Sequence, residues 1–319
     1  MRRKFRKLII LAAVLALGWG TALGEEGSKG ILYKTQNGDV TVYLLGSIHV
    51  GNEDMYPFGA EIQQAMAHSD TFVFECDTDS KEASQIAGKM MYYTDGTVIS
   101  DVVSQETYEK LTDVCKQTRV RLKTFDRMRP WAAMTQFSMQ VTAAELGVKN
   151  VKKAVELGVE NVVATFARKN KKALGYLETT ENQLLAFESM SLPLQEYLLD
   201  ETLTAILHPE LIQGMDSTIR DWPLWWRNGN IAAFAENYQA EYLNGQIDEI
   251  RTAILREYHE KMVTLRNSTM TDRVEEYLQS GEAHTYFVTV GLLHLVLPED
   301  SIVADLQARG YTVECLSIP

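Results

Sequence analysis

Between Gly30 and Asp77 the apolar positions first recur every second residue, as in strands, and then at helical spacing. The segment GILYKTQNGDVTVYLLGSIHV holds two β-rich runs on either side of Asn37-Gly38, a dipeptide that marks a tight hairpin turn. FGAEIQQAMAHSD then sets Ile62, Ala65 and Met66 on one helical face, and TFVFECD is a short β-rich run. That order predicts a hairpin, a crossover helix and a parallel strand. The far end mirrors it. MTDRVEEYLQSG predicts an amphipathic helix closed by Gly281, HTYFVTVG a strand, PEDSIVADLQARG a helix closed by Gly310, and YTVECLSI a final strand.

From about residue 100 to 266 the spacing is helical almost throughout. SQETYEKLTDVCKQT opens at Ser104 and gives way before DRMRPW, where Pro130 keeps Arg129 out of the helical region. MTQFSMQVTAAELGV, VVATFARKN, TENQLLAFESM, LPLQEYLLDETLTAIL and NIAAFAENYQAEYL continue the series. Glu145–Val151 and Glu156–Val162 repeat one another as ELGVKNV and ELGVENV, too few copies for a solenoid. Trp222, Trp225 and Trp226 fit a core or a lid. The expected fold is α/β (α+β): a central mixed β-sheet formed by the N- and C-terminal segments, with a large helical insertion, in a single domain over residues 30–319.

The first residues change the picture. MRRKFRK is basic and LIILAAVLALGWGTALG is apolar, which predicts a signal peptide or N-terminal anchor over residues 1–24, followed by a polar linker at 25–29. The chain is therefore expected to be exported: extracellular, at the cell surface or periplasmic, with membrane association through the N-terminal segment if it is retained. Five basic residues and no acid lie in that segment, so its removal takes the net charge from −12 to −17. Such an acidic chain repels phosphate backbones, which argues against nucleic acid as a partner. Cys76, Cys115 and Cys315 have no metal-ligand or redox spacing, and Cys76 and Cys315 read as small buried strand residues.

Candidate chemistry lies where strands end. Gly46 and Gly291 each close a strand and are each followed three residues later by a histidine, His49 and His294. A glycine there lets the backbone turn at the carboxyl edge of a sheet, where open α/β folds bind their ligands. Glu75 and Asp77 sit at period two at the end of TFVFECD, the strand expected to pair with the first histidine strand. His49, His294 and Glu75 match a divalent-metal set that leaves positions open for an activated water, or Glu75 serves as general base beside fewer ligands. The bland reading of a histidine after a strand is a satisfied turn residue. His68, His208, His259 and His284 lack the glycine context and take that reading.

Together YLLGSIHVG, FVFECD and VTVGLLHLVLPEDSIVADLQARGYTV resemble the TraB/GumN family, which includes the Tiki proteases that act on Wnt proteins. RMRPW, GYLETTENQLLAF and LRNSTMTDRVEEYL resemble its basic-Pro-Trp element, its Leu-Glu-Thr segment with a following Gln, and its Arg-Asn before the last helix. The resemblance implies metal-dependent hydrolysis of a peptide or protein substrate, with manganese or cobalt ahead of zinc. It implies a catalytic core of Gly46, His49, Glu75, Gly291 and His294, with Arg266 and Asn267 holding an oxyanion or a substrate carboxylate. Asp77, Arg127, Arg129 and Glu178 are accessory candidates. The chain departs from the family at Leu297 and Pro298, near where relatives carry glycine, and at Glu160, where many carry Asp. Two other readings stand beside hydrolysis: a non-catalytic binder of a secreted, pheromone-type peptide, and haem or metal carriage on sheet-edge histidines.

Overall fold

The computed structural model describes residues 27–210, 218–243 and 249–317. The expected signal or anchor segment, residues 1–24, lies outside the described residues. Strands β1 (Ile31–Asn37) and β2 (Val40–Ser47) form the hairpin expected at Asn37-Gly38, and Gly38 takes the left-handed φ of +57°. Helix α1 (Ala60–His68) turns Ile62, Ala65 and Met66 inward and leads to β3 (Thr71–Phe74). Helices α2 (Lys81–Met90) and α3 (Gln105–Thr118) start at Ser80 and Ser104, whose side chains accept from Ala83 N and Thr107 N. Helix α4 (Pro130–Glu145) begins at its proline with Arg129 extended, as the steric rule for the residue before proline demands.

Helices α5 (Val151–Glu156) and α6 (Val159–Lys169) precede a strand that the helical spacing did not predict, β4 (Ala173–Tyr176). There follow α7 (Thr180–Glu188), α8 (Leu192–Leu207), α9 (Trp222–Asn228) and α10 (Ile231–Tyr238). Helix α11 (Glu249–His259) runs through a π turn, Glu260–Thr264, into α12 (Leu265–Leu278). Arg266 and Asn267 therefore lie inside the last long helix and not ahead of it. Strand β5 (His284–Gly291), the one-turn α13 (Leu293–Val296), α14 (Ile302–Ala308) and β6 (Val313–Cys315) complete the chain.

The six strands form one mixed sheet in the order β4-β3-β5-β2-β1-β6. Pairs β4/β3, β3/β5 and β5/β2 are parallel; β2/β1 and β1/β6 are antiparallel. Strand β5 thus separates β3 from β2, so the expected direct pairing of the Glu75 and His49 strands is corrected: the C-terminal strand lies between them. The consequence for function is that β2, β3, β4 and β5 all end at the same edge.

Phe72, Val73, Leu44, Phe287 and Val288 from the sheet pack with Ile62 and Met66 of α1, Val163 and Ala167 of α6 and Val274 and Leu278 of α12. A second core, built from Leu111, Val114, Phe125, Trp131, Phe137, Leu199 and Leu203, unites α3, α4 and α8. The three cysteines are free. Cys115 is helical, and Cys76 lies just beyond β3, leaving Cys315 as the cysteine that sits in a strand. Among the described residues no helix is long and apolar enough to cross a membrane.

Candidate functional site

Parallel pairing sets Gly46 beside Val290 and Ser47 beside Gly291, so the two Gly-x-x-His elements occupy neighbouring strands, offset from one another by one residue. Leu292 N donates to Ser47 O at 3.0 Å and starts the turn that carries His294 on α13. Both glycines answer to space. A Cβ on Gly46 would lie 3.1 Å from Leu292 Cβ, and one on Gly291 would lie 3.1 Å from Glu75 Oε1. On the other side of His49, a Cβ on Gly158 would come within 2.2 Å of the His49 carbonyl oxygen, which is how α6 approaches the loop closely enough for Glu160 to reach it.

The centre is Arg266, whose side chain is 9% exposed. Its Nη2 donates to Glu75 Oε2 at 2.6 Å and to Glu178 Oε1; its Nε donates to Glu178 Oε1 at 3.1 Å. Its Nη1 faces His294 Nε2 at 3.3 Å, which leaves one Nη1 N–H with no partner among the described residues. Glu75 follows β3, Glu178 follows β4 and His294 follows β5, so one guanidinium ties three strand ends together. Glu75 is also held by Gly291 N at 2.6 Å and Gln183 Nε2 at 2.9 Å. Burial would raise its pKa, but Arg266, the two imidazoles and the Gly291 amide outweigh that and hold it well below the usual carboxylate range. Glu178, with burial the largest influence, is instead raised.

The two histidines differ in kind. His294 is buried, and its Nδ1 donates to Asn267 Oδ1 at 2.7 Å, which leaves Nε2 as the acceptor facing Arg266. Burial first, then the guanidinium, push its pKa down to about 3, so it is neutral. His49 is 61% exposed on its side chain and pairs through Nδ1 with the Glu160 carboxylate. That carboxylate drives its pKa up to about 9 against the opposing effect of desolvation. Glu75, Arg266 and His294 all share electrostatic interactions with His49. Both rings thus have Nδ1 tied to oxygen, the support that metal-binding histidines usually have.

The third donor does not complete a ligand set. Both Glu75 oxygens are engaged by protein donors, and a cationic guanidinium stands between that carboxylate and His294 Nε2. Among the described residues no group of three His, Cys, Asp or Glu is placed to hold a metal ion. The residues present therefore do not fit the expected divalent ion. Both ring nitrogens of His294 are likewise engaged, so it offers no axial position to a haem.

Other expected residues lie apart from this cluster. The Asp77 carboxylate accepts from Asp79 N and Ser80 N in the turn ahead of α2, beyond the end of β3. Arg127 donates to Tyr93 O, while Arg129 pairs with Glu188 at 3.0 Å and lies 4.6 Å from the centre of the Tyr93 ring. Both hold the helical insertion together. Two participants had no site role on sequence grounds. Glu160 stood out only as a departure from Asp, and Gln183 only as the glutamine after Leu-Glu-Thr.

YbaP of Escherichia coli (strain K12) and YbaP of Shigella flexneri, both described as uncharacterized, are each 23% identical to this chain over 282 residues, which covers 87% of it and 92% of each relative. No solved structure matches the chain. The family model that spans both glycine-histidine elements, Glu75, Glu178 and the Arg266-Asn267 pair matches residues 31–315, and by that match the chain belongs to the TraB/PrgY/gumN family.

Proposed function

We propose that this chain hydrolyses a peptide bond, with His49 and Glu160 as its acid–base pair and Arg266 as the group that polarises the substrate carbonyl. The observation that carries the reading is the opposed state of two imidazoles at one sheet edge, His49 pushed up to about 9 and His294 down to about 3. Environments that drive like groups apart give them different roles, here a proton carrier in the exposed His49 and a neutral acceptor that holds Arg266 in the buried His294. In the proposed step, neutral His49 takes a proton from water at Nε2 and the water oxygen attacks the carbonyl carbon. The unpartnered Arg266 N–H donates to the developing oxyanion, and His49 returns the proton to the leaving amine as the C–N bond breaks. Glu75, Glu178 and His294 hold the guanidinium in place. No step is routed through a metal ion, because the donor set does not accommodate one.

The test is cleavage of a random peptide library by the full chain, read by mass spectrometry, with and without a chelator. Cleavage that survives the chelator and falls at least about 100-fold in His49→Ala matches the contribution expected of a positioned acid–base group. The idea fails if His49→Ala cleaves like the parent. Cleavage abolished by the chelator and restored by manganese or cobalt would return the ion to the site. One observation favours a second reading, stoichiometric peptide capture without cleavage: Glu75 is saturated by Arg266, Gln183 and Gly291 and has no lone role to offer a reacting water. Isothermal titration with a captured peptide that is recovered intact would decide for it.

A further inference from the structure

We infer that His259 and Asp300 form a positioning pair that fixes the orientation and proton location of His294, extending the site back to the π turn ahead of α12. Among the described residues Asp300 is one of three non-glycine residues in the left-handed region, with φ of +57°. In that conformation its carbonyl accepts from Asn267 Nδ2 at 2.7 Å. With Nδ2 committed, the Asn267 amide turns Oδ1 to His294, which must then carry its proton on Nδ1 and present a bare Nε2 to Arg266. Each link sets the next, and the first link is the backbone of Asp300.

That backbone is pinned through its side chain. Asp300 Oδ2 accepts from His259 Nε2 at 2.8 Å and from the Thr264 hydroxyl, and His259 Nδ1 in turn accepts from Tyr238 OH at 3.1 Å. On a regular α-helix, residues five apart point roughly 140° away from each other. The π turn at Glu260–Thr264 closes that gap and brings His259 and Thr264 onto one carboxylate oxygen. Leu297 is buried with Tyr238 and Val263, so apolar contact anchors the loop that delivers Asp300 to the π turn.

The inference rests on the reading of His294 as the acceptor that holds Arg266, and its test does not need turnover. In the full chain with 15N-labelled histidine, multiple-bond 15N–1H spectra should show His294 as a single tautomer protonated on Nδ1, assigned by its loss in His294→Gln. Asp300→Asn should keep that tautomer, since asparagine accepts from the same donors and tolerates the left-handed region. Asp300→Ala and His259→Phe should each yield mixed tautomers while the far-ultraviolet circular dichroism stays unchanged; if Asp300→Ala does not fold, His259→Phe carries the test. A parent protonated on Nε2, or a single Nδ1–H tautomer surviving in both variants, would overturn the pair. Mixed tautomers in a chain that cleaves no peptide would support the pair and sink the hydrolase reading. Intact tautomer with intact cleavage would do the reverse.

Discussion

Each ionisable residue of the site leaves a separable mark on stability. His294 is buried with a pKa lowered to about 3, so between there and the ordinary histidine value near 6.5 the unfolded chain binds a proton that the folded chain does not. Stability therefore falls with acidification across that window, by a slope approaching about 1.4 kcal/mol per pH unit from this group alone. Urea titrations from pH 4 to 6.5 should show the slope reduced by that amount in His294→Gln, which keeps an acceptor for Arg266; an unchanged slope would place the proton uptake elsewhere. His49 acts oppositely: raised to about 9, it contributes stability below about pH 6.5 that is lost as pH rises through 9. With 61% of its side chain exposed, the contribution is that of a surface pair, under about 1 kcal/mol. Its larger effect is on rate: cleavage by the proposed mechanism should rise with pH through an inflection above the ordinary histidine value near 6.5, and that inflection should move toward 6.5 in Glu160→Gln. The buried ions are costlier to disturb. Arg266→Met strands Glu75 and Glu178 without a counter-charge and should destabilise by about 3–5 kcal/mol in denaturant titration.

At the scale of elements, what could be read from sequence followed local physics, and what could not depended on distant pairing. The hairpin, α1, α14 and the termination at Gly310 were legible because Asn37-Gly38, apolar spacing and a glycine with φ of +92° act within a few residues. Strand β4 was not. Ala173, Leu174, Gly175 and Tyr176 include poor strand formers and show no alternation, and they are a strand only because β3 offers a partner. The last long helix starts further upstream than local spacing sets it, because α12 continues from the π turn and is held by the tertiary burial of Asn267 and Thr271. The glycine-histidine elements signalled His49 and His294, whereas nothing near Arg266 marks it as a hub, and it entered only through resemblance to a family. The helical insertion has its own core, which predicts local independence. Leu203→Ala should cost about 2–5 kcal/mol and lower hydrogen-exchange protection in α3, α4 and α8. Equal loss in β2 and β5 would mean that the two cores unfold as one.

For the whole molecule, the sheet order makes a site from residues 49, 75, 178, 266 and 294, which no local stretch of chain could gather. Placing β5 between β2 and β3 is the step that brings the C-terminal histidine beside the N-terminal one, and placing β4 outside β3 adds Glu178. The cluster so formed carries only a small net negative charge, since Arg266 and charged His49 face three carboxylates, Glu75, Glu178 and Glu160. The chain around it carries a net charge of −12. Long-range attraction should therefore come from the surface and not from the site, and it should favour cationic peptides. Stopped-flow binding of matched lysine-rich and glutamate-rich peptides tests this directly. Between about 20 and 500 mM salt the association rate of the cationic peptide should fall roughly tenfold or more, while that of the acidic one rises modestly. Rates that ignore salt for both peptides would mean that encounter is governed at the sheet edge itself, and that the acidic surface plays no part in selecting what reaches Arg266.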